Sequence, residues 1–232
     1  IGFTIQSSDV AKIALIIHVA RVITKRQDVI KDLKSAFLPL MAPIGLFCLL
    51  IAFADLSTAL IIFVSCLGML FAGRVSLKHL GFLFLFGLLL FGIMIYVGQF
   101  FPDIFRAETW INRFMEFVGD GKPNIQVEKS KIAIATGEFF GLGPGHSIQR
   151  NFLPAPYSDF VYATIIEEYG LFGGFIVLFI YMFLFYRGLV IITKSPKTFS
   201  AILVFGLSFN LVIQALANMA VSVNLVPVTG LT

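Results

Sequence analysis

The stretch GLGPGHSIQRNFLPAPYSDFVYATIIEEYGLFGG, residues 141–174, decides how this chain is read. It begins as a glycine- and proline-rich loop and ends as an apolar helix whose hydrophobic run continues to Tyr186. Where one becomes the other stands a lone carboxylate, Asp159, with Glu167 and Glu168 two turns further on. A bilayer is crossed by about 20 apolar residues in helical form, and the run from Phe160 exceeds that. Carboxylates inside such a run are costly and mark either a substrate or ion path or a polar partner in the bundle.

Working outward, the whole chain has the same character. Of its 232 residues 58% are hydrophobic and 13% charged, with 27 phenylalanines and a mean hydropathy of +0.95. A soluble domain carries roughly 25% charged residues. The expected fold is therefore all-α, a polytopic transmembrane helix bundle. Six apolar segments can be marked, at residues 10–23, 37–53, 56–72, 80–100, 160–186 and 199–221. The chain opens on Ile1 without a signal-peptide pattern and stops at Thr232 without a closing helix, so it reads as an internal fragment forming one membrane domain over residues 1–232.

Basic residues orient the segments. Lys25, Arg26, Lys31 and Lys34 follow the first, Arg74 and Lys78 the third, and Arg187, Lys194 and Lys197 the fifth. They fall in every second connection, which the positive-inside rule assigns to the cytoplasm. Residues 101–158 then form a long extracytoplasmic loop. In it Ile104, Ala107, Ile111, Phe114 and Val118 recur at helical spacing among Arg106, Glu108, Arg113 and Glu116, the pattern of an amphipathic helix lying at the membrane surface. Gly119–Pro123 ends it, and a second short helix is expected near residues 125–136.

The candidate chemistry has competing readings. Asp159 suits a helix start, where an acid complements the dipole, and equally a general base at the mouth of a membrane cavity. Glu167, eight residues on, projects within a quadrant of Asp159 and about 12 Å deeper, while Glu168 projects nearly opposite. Both read as supporting residues, with at least one expected to find a polar partner. Asp9 and Lys12 share a helix face and can pair, or Lys12 can hold a phosphate. Asp55, in ADLST, suits the cap of the third segment. The glycines of GLGPG suit tight turns, since no strand precedes them and no Lys-Ser/Thr follows. Cys48 and Cys66 lie in apolar runs without metal or redox spacing, and His18, His79 and His146 form no ligand set. Nothing in the sequence is a nucleic-acid module.

Taken in order, these motifs resemble those of the SEDS family (shape, elongation, division and sporulation; the FtsW/RodA/SpoVE group). Gln6-Ser-Ser-Asp9-Val-Ala-Lys12 resembles QPSE-x-x-K, and Ala54-Asp55-Leu56-Ser57-Thr58 resembles PDLGT. Gln126-x-x-x-Ser130 with Ala-Thr-Gly137 resembles YQ-x-x-QS…G. Gly141-Leu-Gly143, Leu153-Pro154 through Asp159-Phe160 and Glu167-Glu168-x-Gly170 resemble GLG…LPE-x-HTDFIFA…EE-x-G. Gln214-x-x-x-Asn218 and Pro227-x-x-Gly230-Leu-Thr232 resemble the stretch before LP-x-SYGGSS. Departures are Ala155 for Glu, Tyr157 for His, Ser158 for Thr, Ala54 for Pro, Ser57 for Gly and Asp9 for Glu; the aspartate at 159 is retained.

The resemblance implies spans four to nine of a ten-span protein in the bacterial cytoplasmic (inner) membrane, with the active site facing the periplasm or exterior. It implies a peptidoglycan glycosyltransferase: an inverting enzyme polymerising lipid II, with a polyprenyl pyrophosphate-linked donor, for division or elongation. GLGPGHSIQRNFLP and TGLT lie closer to the division members than to RodA. Asp159 is then the catalytic base. Asp9, Lys12, Arg113, Gln126, Ser130 and Lys131 are substrate-binding candidates, and Asp55, Glu167 and Glu168 support them. No cofactor is required by the reading, although a divalent cation is an alternative counter-charge to Lys12, Arg113 and Lys131. The implied partners are lipid II, a class B penicillin-binding protein and other division or elongation proteins. Two other functions fit the residues: a flippase for the lipid-linked precursor, and a non-catalytic divisome scaffold.

Overall fold

The computed structural model describes residues 7–27, 38–98, 107–119, 125–149 and 160–228. They form eight helices: α1 (Ser7–Lys25), α2 (Leu38–Ala54), α3 (Leu56–Ala72), α4 (Leu77–Gly98), α5 (Ala107–Val118), α6 (Ile125–Gly137), α7 (Val161–Lys194) and α8 (Thr198–Ser222). No strand occurs among the described residues, so the all-α expectation holds. Two helices, α7 and α8, are long and apolar enough to cross a membrane. Leu38–Phe53, Leu56–Ala72 and Leu77–Ile93 are apolar but shorter. Seventeen helical residues, the length of α2 and of α3, reach about 25 Å against a hydrocarbon core of about 30 Å.

The chain divides into two compact units, residues 1–105 with 184–211 and residues 106–183 with 212–232. The first unit is built on α3. Leu15, Ile16, Val19 and Ile23 of α1, Leu40 and Ile44 of α2, and Ile62, Cys66, Met69 and Leu70 of α3 make a continuous buried core with Phe205 of α8. Small residues set the close approach of α3 to α8. A methyl group on Gly68 would sit 2.1 Å from the Phe209 ring, and one on Gly206 would sit 2.6 Å from Met69 Sδ. Ser65 Oγ donates to Asn210 Oδ1 at 3.2 Å between the same two helices. Later residues of α3 thus meet earlier residues of α8, and the pair is antiparallel.

That packing separates charge along the unit. Asp55 caps the start of α3, accepting from Ser57 N at 3.0 Å and from the Thr58 hydroxyl, as the motif suggested. Asp9 lies in the first turn of α1. At the other end, Ile23 of α1 packs on Gly73, beside Arg74 in the turn after α3. The antiparallel α8 brings its preceding turn, with Lys194 and Lys197, to that same end. The described basic residues at these helix ends are therefore gathered in space, while Lys31 and Lys34 lie outside the described residues.

In the second unit α5 and α6 occupy the long connection, at the positions expected from helical spacing. α6 is tied to the end of α8 by the Ser130 hydroxyl, which donates to the Ser222 carbonyl at 2.5 Å. Phe160, just before α7, is buried with Val221, and Val228 packs on them.

The sequence presents residues 160–186 as one span, whereas α7 is interrupted at Gly170, which has φ 72 and ψ −176. The break releases the carbonyls of Glu167 and Glu168 from their usual partners four residues on. Those carbonyls accept instead from Leu142 N at 2.9 Å and Gly143 N at 3.0 Å. In return Leu171 N donates to Glu138 O at 2.9 Å and Phe172 N to Phe139 O at 3.3 Å. The two carbonyls and two amides displaced by the break are thus satisfied by the turn after α6.

Candidate functional site

The loop after α6 is held against the first turns of α7 at two levels. The backbone exchange at Gly170 forms the first. It needs glycine on both sides: a Cβ on Gly170 would lie 2.2 Å from Phe139 O, and one on Gly141 would lie 2.2 Å from Glu168 O. Gly141 also has φ 79, so the turn reading of this glycine is correct but incomplete, because close backbone approach demands it too. The second level is Glu167, whose side chain is fully buried. Its Oε1 accepts from Ile148 N at 3.1 Å and Gln149 N at 3.2 Å, and its Oε2 accepts from the Ser147 hydroxyl. A carboxyl group with three donors pins residues 147–149 to the helix.

Asp159 lies outside the described residues. Its flanks do not. Gln149 is held by Glu167, and Phe160 is buried at the start of α7.

A cleft of about 280 Å³ opens elsewhere in the second unit, between α5, α6 and the segment after α8. α5 contributes Arg113 and Glu116, and α6 contributes Glu128 and Lys131, each pair three residues apart and so on one helix face. Phe117, Val127 and Pro227 supply apolar wall, and Asn224 stands opposite in a left-handed conformation with φ 58. Glu116 Oε1 is buried with no hydrogen-bond partner among the described residues. The site therefore offers two cations, two carboxylates and apolar contact, which suits a polar ligand bearing anionic groups and hydrogen-bond donors.

Of the other expected site residues, Lys12 is buried and paired with Asp9, Nζ to Oδ1 2.6 Å. The pair belongs to the first unit, whereas Arg113 and Lys131 meet in the second. Ser130 is fully buried and its hydroxyl is committed to the Ser222 carbonyl, which makes it a packing tie instead of an open contact for substrate. Gln126 is partly buried on α6, and Glu168 is partly buried beside Glu167. Sequence reasoning placed Glu116 only on the polar face of an amphipathic helix and did not single out Glu128; their i, i+3 spacing to Arg113 and Lys131 was the available signal. Ser147 had no such signal, since it meets Glu167 across 20 residues. Among the described residues no three His, Cys, Asp or Glu side chains gather to hold a metal.

A profile of the family described as "Cell cycle protein", which groups FtsW, RodA and SpoVE, matches residues 1–232. The chain belongs to the FtsW/RodA/SpoVE family. Stage V sporulation protein E of Bacillus subtilis (strain 168) is 30% identical over 233 residues, covering 100% of this chain and 62% of that protein. The probable peptidoglycan glycosyltransferase FtsW of Alkalilimnicola ehrlichii is 35% identical over 235 residues, covering 98% of this chain and 57% of that protein. The probable peptidoglycan glycosyltransferase FtsW of the same Bacillus strain is 33% identical over 240 residues, covering 100% of this chain and 59% of that protein. The chain thus spans about three fifths of the length of these FtsW and SpoVE relatives. As a family member with membrane-length apolar helices, it is a membrane protein.

Proposed function

We propose that the protein to which this chain belongs is a peptidoglycan glycosyltransferase of bacterial cell division, polymerising lipid II at the outer face of the cytoplasmic membrane. The observation that carries the reading is the family match across all 232 residues, with relatives named as FtsW glycosyltransferases. Asp159 acts as general base, taking the proton of the acceptor sugar hydroxyl as its oxygen attacks the anomeric carbon of the lipid-linked donor. The bond to the polyprenyl pyrophosphate breaks with inversion, and negative charge grows on the departing phosphate. Arg113 and Lys131 supply cations for substrate phosphate or for the acidic groups of the strand. Lys12, neutralised by Asp9, contributes an oriented donor more than a net charge. Glu167 supports Asp159 by fixing the chain that leads into it. The apolar face of α5, with Phe114, Met115 and Val118 exposed, lies on the outer leaflet. A class B penicillin-binding protein is the partner that cross-links the product.

The experiment is an Asp159→Asn variant of the complete natural chain, purified with its transpeptidase and supplied with lipid II. Polymer is expected to vanish while lipid II binding persists. Polymer made at the wild-type rate would end the catalytic assignment. Loss of polymer together with full complementation in cells would favour a scaffold.

A further inference from the structure

The basic end of the first unit carries a cavity that neither the proposed reaction nor the family motifs use. It measures about 360 Å³ and is lined by His18, Arg21, Val22 and Lys25 of α1, by Arg26 just after that helix and by Pro39 of α2. That volume falls within the range of small-molecule sites. His18, Arg21 and Lys25 follow one another at helical spacing on a single face. Among the described residues no carboxylate lines the cavity, and the described carboxylates of the unit, Asp9 and Asp55, belong to the opposite end; Asp28 and Asp32 lie outside the described residues. The face itself changes character along the helix. Val10, Ile13 and Ile17 precede the basic residues on the same stripe and are exposed, at 60%, 51% and 41%. An apolar strip leading into a cationic concavity matches the profile of a lipid with an anionic head. The C-terminal end of a helix disfavours an anion, so the attraction must come from the side chains.

We propose that this cavity holds the headgroup phosphate of an anionic phospholipid, whose acyl chains lie along Val10, Ile13 and Ile17. Two permanent guanidinium groups and one ammonium face the headgroup, and guanidinium groups pair well with phosphate oxygens. A zwitterionic lipid carries the same phosphate but also an ammonium, which these side chains repel. The charge complementarity therefore selects the anionic class. The basic turn at Arg74 and those at Lys194 and Lys197 extend the same field.

The test uses the complete natural chain in neutral detergent, titrated with phosphatidylglycerol or phosphatidylcholine and read by native mass spectrometry. Wild type should retain phosphatidylglycerol in preference to phosphatidylcholine. An Arg21→Gln, Lys25→Gln, Arg26→Gln triple variant should bind it about a hundredfold more weakly, from roughly fivefold per basic side chain removed. Millimolar inorganic phosphate should not displace the lipid, because the apolar strip holds the chains. Equal retention by the triple variant, equal binding of phosphatidylcholine, displacement by free phosphate, or no lipid bound by wild type would each overturn the proposal. Should the triple variant fail to fold, Arg21→Gln alone carries the test, with about a fivefold loss expected and an unchanged affinity refuting it.

Discussion

Replacing Glu167 with alanine should release the loop that precedes the Asp159 segment. The side chain is fully buried and accepts from two backbone amides and one hydroxyl. Its removal leaves the Ile148 and Gln149 amides without an acceptor, at about 1–3 kcal/mol each where buried, and adds the lost hydroxyl bond. Both amides are only partly buried, so water recovers some of this, and the expected loss of local stability is about 3–4 kcal/mol. Gln at the same position keeps one carbonyl oxygen for the two amides and offers its NH2 to the Ser147 hydroxyl, so Glu167→Gln should cost about 1 kcal/mol. Ser147→Ala removes a single bond and should fall between them. Hydrogen exchange of a peptide covering residues 147–149 reads the effect directly. Protection should drop by about two to three orders of magnitude in the alanine variant and by less than tenfold in the glutamine variant. Polymerisation should follow the same order, through kcat more than KM, because the loop positions the base and does not bind the lipid. Wild-type protection in Glu167→Ala would refute the clamp. A glutamine variant as inactive as alanine, with its amides still protected, would instead show that the acid itself takes part in the chemistry.

Other substitutions separate the remaining features. Gly170→Ala should cost at least about 3 kcal/mol and yield little folded protein, since its methyl would collide with Phe139 O. Gly145→Ala, with φ 77 but open space around it, should cost only the 1–2 kcal/mol of the left-handed backbone, and thermal unfolding of the pair distinguishes sterics from strain. Lys131→Ala and Arg113→Ala should each raise KM for lipid II about tenfold, from the loss of one charge-assisted contact, in a steady-state polymerisation assay. Asp55→Ala should lower stability by about 1 kcal/mol through its lost cap, with the polymerisation rate unchanged.

Local features were legible where local chemistry decides them. The bounds of α3 follow from the capping residue Asp55 and the glycine at 73, and the helical spacing of Ala107, Ile111, Phe114 and Val118 announces α5. The Asp9–Lys12 pair follows from spacing alone. The first helix extends past the apolar segment to Ser7, because a paired aspartate and lysine are tolerated within its first turns. What the sequence could not display was the break in α7. Glycine costs a helix only about 1 kcal/mol, so EEYGLFGG reads as continuous. The partners that make a break affordable lie some 30 residues earlier, in Glu138–Gly143. The cleft is hidden for the same reason, since no spacing joins Arg113 to Lys131; tertiary packing does. Ser130 looked open to substrate only because burial cannot be seen from a motif.

The traded hydrogen bonds at Gly170 bear on how the protein is made. An α7 released into lipid before residues 138–143 are in place would pair the Glu167 and Glu168 carbonyls with the Leu171 and Phe172 amides as a straight helix, and both bonds would then have to break in hydrocarbon, at several kcal/mol apiece. Synthesis from the amino end avoids this, because the turn after α6 emerges from the ribosome ahead of Leu171 and Phe172. The upper part of α7 is thus completed by a template already delivered, and transplanting this helix without residues 137–149 should produce a straight one.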